Sequence, residues 1–218
     1  MIRAFLGFLG AEPEEDTQVL LLLGMGFFMG VFIASFEVGA EVLFLKTPGL
    51  GDSYLDYAFF TSGFLGIIST ILFVYFQKRV SFERLSIINL SLITFFLIAL
   101  GLLFSFTNLE QTNRVFFKAV VFLAFVSFGP ITAIMLLNFW GTFNRMFDLR
   151  QSKRIIGGVD TGQLTATIIT FFAIALIPRQ YYNTSSLILI SAVSVTGVLG
   201  VLMAICYKFD LDNSGFMH

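Results

Sequence analysis

The sequence predicts an all-α integral membrane protein with six transmembrane helices. Of its 218 residues, 57% are hydrophobic and only 12% are charged, which is too few charges for a soluble domain of this size. Several apolar stretches also exceed about 18 residues, the length that indicates a membrane-spanning helix. Because the net charge is -1, we do not expect a nucleic-acid-binding surface.

The first span, from Thr17 to Lys46, is the one around which we expect the others to pack. At about 1.5 Å per residue it is long enough to cross a hydrocarbon core of roughly 30 Å with some tilt. It carries two carboxylates, Glu37 and Glu41, and an ionised side chain at such depth costs about 2.5–3.5 kcal/mol. Three small residues precede them at four-residue spacing: Gly26, Gly30 and Ala34. We therefore expect small residues and acids to share one face that is turned away from lipid.

Five further spans follow in the order of the chain. They cover about Tyr57 to Phe76, Leu85 to Phe106, Val115 to Trp140, Ile155 to Ile177, and Thr184 to Tyr207. The third span has no charge, so we expect it to have the most lipid contact. The fourth contains Gly129 and Pro130 near its middle, and a kink is predicted there because proline lacks a backbone donor.

Small residues at four-residue spacing also predict packing faces on the second and fifth spans. They are Ser62, Gly66 and Thr70 on the second, and Gly158, Gly162 and Ala166 on the fifth. Between spans, the stretch from Lys46 to Tyr54 is interpreted as a loop because it contains a proline and two glycines. The stretch from Asn144 to Arg154 is predicted to be the most charged connector.

The basic residues predict the orientation in the membrane. With six spans both termini lie on one side, and nine of the 13 lysines and arginines fall on that side against four on the other. The positive-inside rule therefore places both termini in the cytoplasm. We divide the chain into an interfacial amino-terminal segment (1–16), a six-helix domain (17–208) and a polar tail (209–218) that looks truncated. No signal peptide is expected.

Six spans can be divided into three plus three, which is the inverted repeat within each half of a major-facilitator transporter. Internal similarity between the two triplets is weak. Each begins with a span that has unusual residues: Glu37 and Glu41 in the first triplet, and Gly129, Pro130 and Asn138 in the second. The sequence thus favours a major-facilitator-like half with a 3+3 inverted repeat.

One segment is more specific. From Asn138 to Arg154 the chain reads NFWGTFNRMFDLRQSKR, and it resembles a segment of the ATP/ADP carrier proteins of plastids and intracellular bacteria. In those carriers an F-W-x-x-x-N stretch ends a span and a basic pair follows before the next. The residues that match this pattern are Phe139, Trp140, Asn144, Lys153 and Arg154. The stretch EVLFLK, from Glu41 to Lys46, is similar to the end of the same family's first span.

The resemblance extends from about Gln18 to Tyr207, which would be the amino-terminal half of a carrier with twice as many spans. The chain also resembles carrier-like membrane domains that some bacteria fuse to soluble helical-repeat or cyclic-nucleotide-binding modules. Such a resemblance implies a bacterial inner membrane as the location. It also implies a partner, either a second six-helix half, from a homodimer or a missing carboxy-terminal segment, or other membrane subunits.

Each candidate residue has a functional and a structural interpretation. Glu37 and Glu41, with Asn138 and Asn144, either bind substrate or relay protons; alternatively, the acids hold helices together through hydrogen bonds. Asp160 is expected to pair with Arg145 or Arg154, as a salt bridge or as a gate. The cations assigned to an anion-facing group at the cytoplasmic side are Arg145, Lys153 and Arg154. Those cations, together with Arg150, either attract phosphates and anionic lipid or merely fix the topology.

Two functions from different classes are therefore considered. The first is a transport domain that moves or binds an anionic or nucleotide-like solute by alternating access with a second half. The second is a non-transporting membrane anchor or assembly subunit built on a carrier-like scaffold. The sequence contains no nucleophile arrangement, metal cluster or phosphate-binding loop, so neither an enzyme nor a cofactor is expected.

Overall fold

A computed structural model describes residues 10–106, 114–177, 183–209 and 211, together with Arg3 and Gly7. These residues form seven long α-helices and no β-strand. The helices are α1 (Asp16–Lys46), α2 (Gly51–Gln77), α3 (Phe82–Phe106), α4 (Arg114–Val126), α5 (Phe128–Met146), α6 (Leu149–Leu176) and α7 (Thr184–Lys208). Because α4 and α5 are two parts of one span, the described chain has six stretches long and apolar enough to cross a membrane. The prediction of an all-α membrane protein with six spans is confirmed.

Helix α1 lies at the centre, where it packs mainly against α6 and α7 and also against α4 and α5. More than half of its most apolar stretch, 56%, is buried, which is the largest share of any span. Its glycines make the close packing possible. A Cβ on Gly30 would lie 2.8 Å from the Cβ of Ala166, and one on Gly26 would lie 3.5 Å from the ring of Phe139. Small residues thus bring α1 against its neighbours, as packing in a lipid environment requires.

The remaining helices flank this centre. Helix α2 packs along α5 and α4, whereas α3 packs along α7. Only 11% of the most apolar stretch is buried in α2 and in α6, against 28% in α3. The third span, expected to have the most lipid contact, is therefore not the most exposed of the spans. The physical reason is that α3 has a long contact with α7, which the absence of charge in its sequence did not reveal.

Two connectors are shorter than predicted. Helix α2 begins at Gly51, so the loop after α1 consists of residues 47–50 alone. Helix α5 continues to Met146 and α6 begins at Leu149, so Asn144, Lys153 and Arg154 are helical. The start of α6 is fixed locally, because the amide of Asp148 donates to Oε1 of Gln151 at 3.0 Å, as in a capping box.

Two predicted segments lie largely outside the described residues. They are the interfacial helix proposed for residues 2–9 and the polar tail at 209–218. Of the tail, Phe209 and Leu211 are described, and the amide of Leu211 donates to Oε1 of Glu83 at the start of α3, at 3.0 Å.

Candidate functional site: two carboxylates at a broken helix

Glu37 and Glu41 lie one turn apart on α1 and face a small cavity between spans one, two and four. Both side chains are half-buried. The cavity has a volume of about 140 Å³, which is room for several water molecules. Besides the two acids, it is lined by Ala40, Phe59, Ser62, Phe125 and Phe128. The two acids are thus turned inward from lipid, toward a space between helices.

The fourth span is kinked beside this cavity, although Ser127 keeps helical dihedrals and hydrogen bonds from Ser127 to Leu123 and from Ile131 to Ser127 cross the kink. Helix α4 ends at Val126 and α5 begins at Phe128, so the interruption falls at Ser127. Its cause is Pro130, which has no amide hydrogen to donate to the carbonyl of Val126, four residues earlier. The predicted kink at Gly129 and Pro130 is therefore present, as an interruption that begins just ahead of them. Two cavity-lining residues, Phe125 and Phe128, lie on either side of it.

Ser62 of α2 satisfies a backbone group at the break. The amide of Gly129 donates to Oγ of Ser62 at 3.0 Å. A Cβ on Gly129 would lie 2.6 Å from that oxygen, so the close approach requires glycine at this position. Gly66, one turn along α2, packs against the same backbone, with its virtual Cβ 3.4 Å from the carbonyl of Gly129. The predicted packing face on the second span thus meets the break.

Neither carboxylate has a protein partner within the described part of the chain. No hydrogen bond or ion pair joins Glu37 or Glu41 to another described side chain. Ser62 lines the same cavity, but its oxygen accepts from Gly129 instead. In the structural interpretation, the two acids hold helices together through hydrogen bonds. Such hydrogen bonds are not present among the described residues. At this depth such a pair needs water, a proton or a ligand.

Arg154, assigned from sequence to the anion-facing group, is held by two acids of the amino-terminal segment. Its Nη2 donates to both oxygens of Glu15, at 2.7 and 2.6 Å, and its Nη1 donates to Glu12. Glu15 is buried, with 4% of its side chain exposed. Asp160 forms none of the ion pairs between described residues, so its expected pairing with Arg145 or Arg154 is not found there, and Arg154 pairs with Glu12 and Glu15 instead. The guanidinium prefers a fork of two carboxylate oxygens, and Glu15 offers it.

The partners of Arg154 could have been suspected from the sequence. Glu12 and Glu15 are spaced three residues apart just ahead of the first span, on the side of the membrane where the positive-inside rule places the basic residues. The sequence does not show that these two acids lie close to the start of α6. Their ion pairs with Arg154 were therefore not predicted.

The other predicted site residues lie apart from the carboxylate cavity. Arg145 stacks on the ring of Phe82 at 3.9 Å and donates to the carbonyl of Gly141 at 3.0 Å. Asn144 and Lys153 are exposed. Along α1, the 22 residues from Glu15 to Glu37 correspond to about 33 Å. The predicted cations and the predicted acids therefore occupy opposite ends of the spans.

Asn138 is fully buried in α5. Its Nδ2 donates to the carbonyl of Ile134 at 2.9 Å, whereas its Oδ1 has no hydrogen-bond partner among the described atoms. The structure therefore does not group Asn138 with the two glutamates at the cavity.

Comparison with known proteins does not identify a family for this chain. No protein-family model, curated protein or solved structure matches this chain.

Proposed function

We propose that this chain is a membrane transport domain in which Glu37 and Glu41 form the substrate-binding or proton-coupling site. The observation that carries the proposal is the cavity where two carboxylates, without a protein partner among the described residues, face the kink in the fourth span. A proline kink at membrane depth frees backbone groups, and neighbouring helices, Ser or Thr side chains and water can satisfy them beside a cavity.

The arrangement supports a division of roles. The two acids exchange protons or bind a polar group of the solute inside the membrane. Arg145 and Lys153, at the other end of the spans, favour the approach of an anionic or nucleotide-like solute from the side of the termini. Arg154 has a lesser part in this, because its charge is already matched by Glu12 and Glu15. The nucleotide-like solute is the substrate class that the resemblance to ATP/ADP carriers implies.

Helix packing is compatible with a major-facilitator-like half. In an inverted repeat the first three spans correspond to the last three, so that span one corresponds to span four, two to five and three to six. The contact between spans one and five then corresponds to the contact between spans four and two, and both contacts are extensive. The pairs one–four and three–six exchange with themselves, and both are present. One pair departs from this symmetry, since one–six is extensive whereas three–four is slight. A second half, from a homodimer or from a further segment, would complete the transport path.

Uptake into proteoliposomes tests the proposal. Labelled ATP, ADP and a panel of organic anions are offered to vesicles that contain the wild type, Glu37→Gln, Glu41→Gln or the control Glu14→Gln. Glu14 is exposed ahead of α1, so its variant changes the net charge equally without reaching the cavity. We expect saturable uptake that is abolished in the two cavity variants and retained in the control. Folded protein with no uptake of any solute would contradict the proposal.

A second function is favoured by a different observation. Helix α6 is the least apolar of the six spans, and yet it is among the least buried. Thr161 and Thr165 are exposed on it at membrane depth. A face of this kind suits a protein neighbour better than lipid, as in an anchor or assembly subunit. This alternative would be favoured if one stoichiometric partner copurifies from native membranes and no solute is taken up in the uptake assay.

A further inference from the structure

A groove much larger than the carboxylate cavity opens at the other side of α1, near Lys46. It lies between α1, the end of α6 and the start of α7, and it has a volume of about 570 Å³, within the range of ligand-binding sites. None of the residues that line it belongs to the carboxylate site. They are Val38, Val42, Lys46, Phe171, Ile174, Ala175, Ile177, Asn183, Thr184 and Leu187.

The groove is apolar at depth and polar at its rim. On α1 it follows Val38, Val42 and Lys46, which are spaced one turn apart and span about 12 Å along the helix axis. The wall opposite is formed by aliphatic and aromatic side chains of α6 and by Leu187 of α7. The polar groups among its described lining residues are Lys46, Asn183 and Thr184, and all three lie at ends of helices.

The rim is electropositive. Lys46 is exposed at the end of α1, where its ammonium group can reach the interface. Helix α7 begins beside it at Thr184, and the side chain of Asn183 makes no capping hydrogen bond to the first turn. The positive end of the helix dipole and its first amide groups therefore face the same rim as the lysine.

We propose that this groove binds one anionic phospholipid, with an acyl chain along Val38 and Val42 and the phosphate between Lys46 and the start of α7. The apolar depth of the groove would remain uncovered by a soluble anion, whereas an amphiphile matches both the depth and the rim. The groove is also open toward the bilayer, since Phe171 and Ile177 are 37% and 47% exposed. This inference does not depend on the proposed transport function.

The test measures retention of phosphatidylglycerol by the purified chain in detergent, by native mass spectrometry, with phosphatidylcholine as the neutral comparison. Lys46→Gln removes the charge at the rim, and Ala175→Phe fills the groove from an exposed position on α6. Lys118→Gln is the matched control, because Lys118 lies near Gly49 on the same side of the membrane and outside the groove.

We expect one retained phosphatidylglycerol in the wild type and in the Lys118 variant, and none in the Ala175 variant. Retention should weaken about five-fold in the Lys46 variant, because one lysine contributes about 1 kcal/mol to the attraction of anionic lipid. Equal retention of both lipids, or unchanged retention in Lys46→Gln or Ala175→Phe, would overturn the proposal.

Two further outcomes would also overturn it. If inorganic phosphate alone raises the melting temperature as much as the lipid does, and Ala175→Phe does not alter this, the rim is an anion site without a lipid. If Ala175→Phe instead changes the oligomeric state and leaves lipid retention unaltered, the groove is covered by a second copy of the chain.

Discussion

Arg154 joins two parts of the chain that are 139 residues apart in sequence. Its guanidinium donates two hydrogen bonds to the buried Glu15. The carboxylate of Glu15 also accepts a hydrogen bond from the amide of Glu12, at 2.9 Å. Gly10, which has a φ of 87°, lies against the backbone of Arg154, where a Cβ would come within 3.0 Å of its carbonyl oxygen. The amino-terminal segment is thus tied to the start of α6 by charge and by close backbone contact.

Removal of the guanidinium should destabilise this end of the molecule. Arg154→Gln leaves Glu15 buried without a cation, so we expect a melting temperature several degrees below that of the wild type in detergent. Arg154→Lys should fall between the two, because an ammonium group keeps the charge but loses the fork. Lys153→Gln, at an exposed neighbouring position, is the control. Equal melting temperatures for Arg154→Gln and Lys153→Gln would show that the ion pairs do not stabilise the fold.

Ser62 provides the second prediction at this scale. Ser62→Ala removes the acceptor for the part-buried amide of Gly129, and the loss of such a hydrogen bond costs about 1 kcal/mol. The adjacent Thr61 bonds within its own helix, to the carbonyl of Tyr57, so Thr61→Ala should have little effect. Chemical unfolding of both variants in mixed micelles measures the difference. An equal loss of stability in the two variants would contradict the role given to Ser62.

At the scale of elements, glycines of α1 differ sharply in their surroundings. Gly30 meets α6, where a Cβ would clash with Ala166, whereas a Cβ on Gly24 would meet no atom within 4 Å. Gly30→Ala should therefore cost about 1–3 kcal/mol by forcing the helices apart, whereas Gly24→Ala should be neutral or slightly stabilising. The two variants share a helix and a chemical change, so their unfolding free energies compare directly. A neutral Gly30→Ala would mean that the contact between α1 and α6 is looser than described.

Hydropathy was sufficient to predict the number of spans, because each must satisfy its own backbone in lipid. The break in the fourth span was also predictable, since the missing donor of Pro130 is a local property. The lengths of the connectors were not predictable. The charged sequence around Asp148 resembles a loop, but capping at Asp148 starts α6 there. The site was predicted in part: unusual acids stand out in an apolar span, but their separation from the cations depends on tertiary packing.

At the scale of the whole molecule, the unusual property is the exposure of α6. A span that faces lipid would be expected to be strongly apolar, and α6 is the least apolar of the six. Phe95 of α3, by contrast, is 74% exposed on a helix that has no charge beyond its first turn. We infer that α6 is covered in the native membrane by protein or by a water-filled path, and that the exposed face of α3 is covered by lipid.

Spin labels can distinguish these environments. In a Cys206→Ala background, which removes the one native cysteine, Thr161→Cys and Phe95→Cys are labelled in turn. We expect the label at 95 to be relaxed by oxygen, which concentrates in lipid, and the label at 161 to be relaxed much less. Similar oxygen accessibility at both positions would show that α6 faces bare lipid.

The central position of α1 has a consequence for biosynthesis. Its main neighbours, α6 and α7, are the last of the described helices to be made, and about 100 residues separate Lys46 from Leu149. At roughly 5–20 residues per second, the ribosome needs about 5–20 s to reach α6 after α1 is complete. During that interval Gly26 and Gly30 of α1 lack α6, the helix against which they later pack. Among the described spans, α1 is therefore the one whose main packing partners are synthesised longest after it.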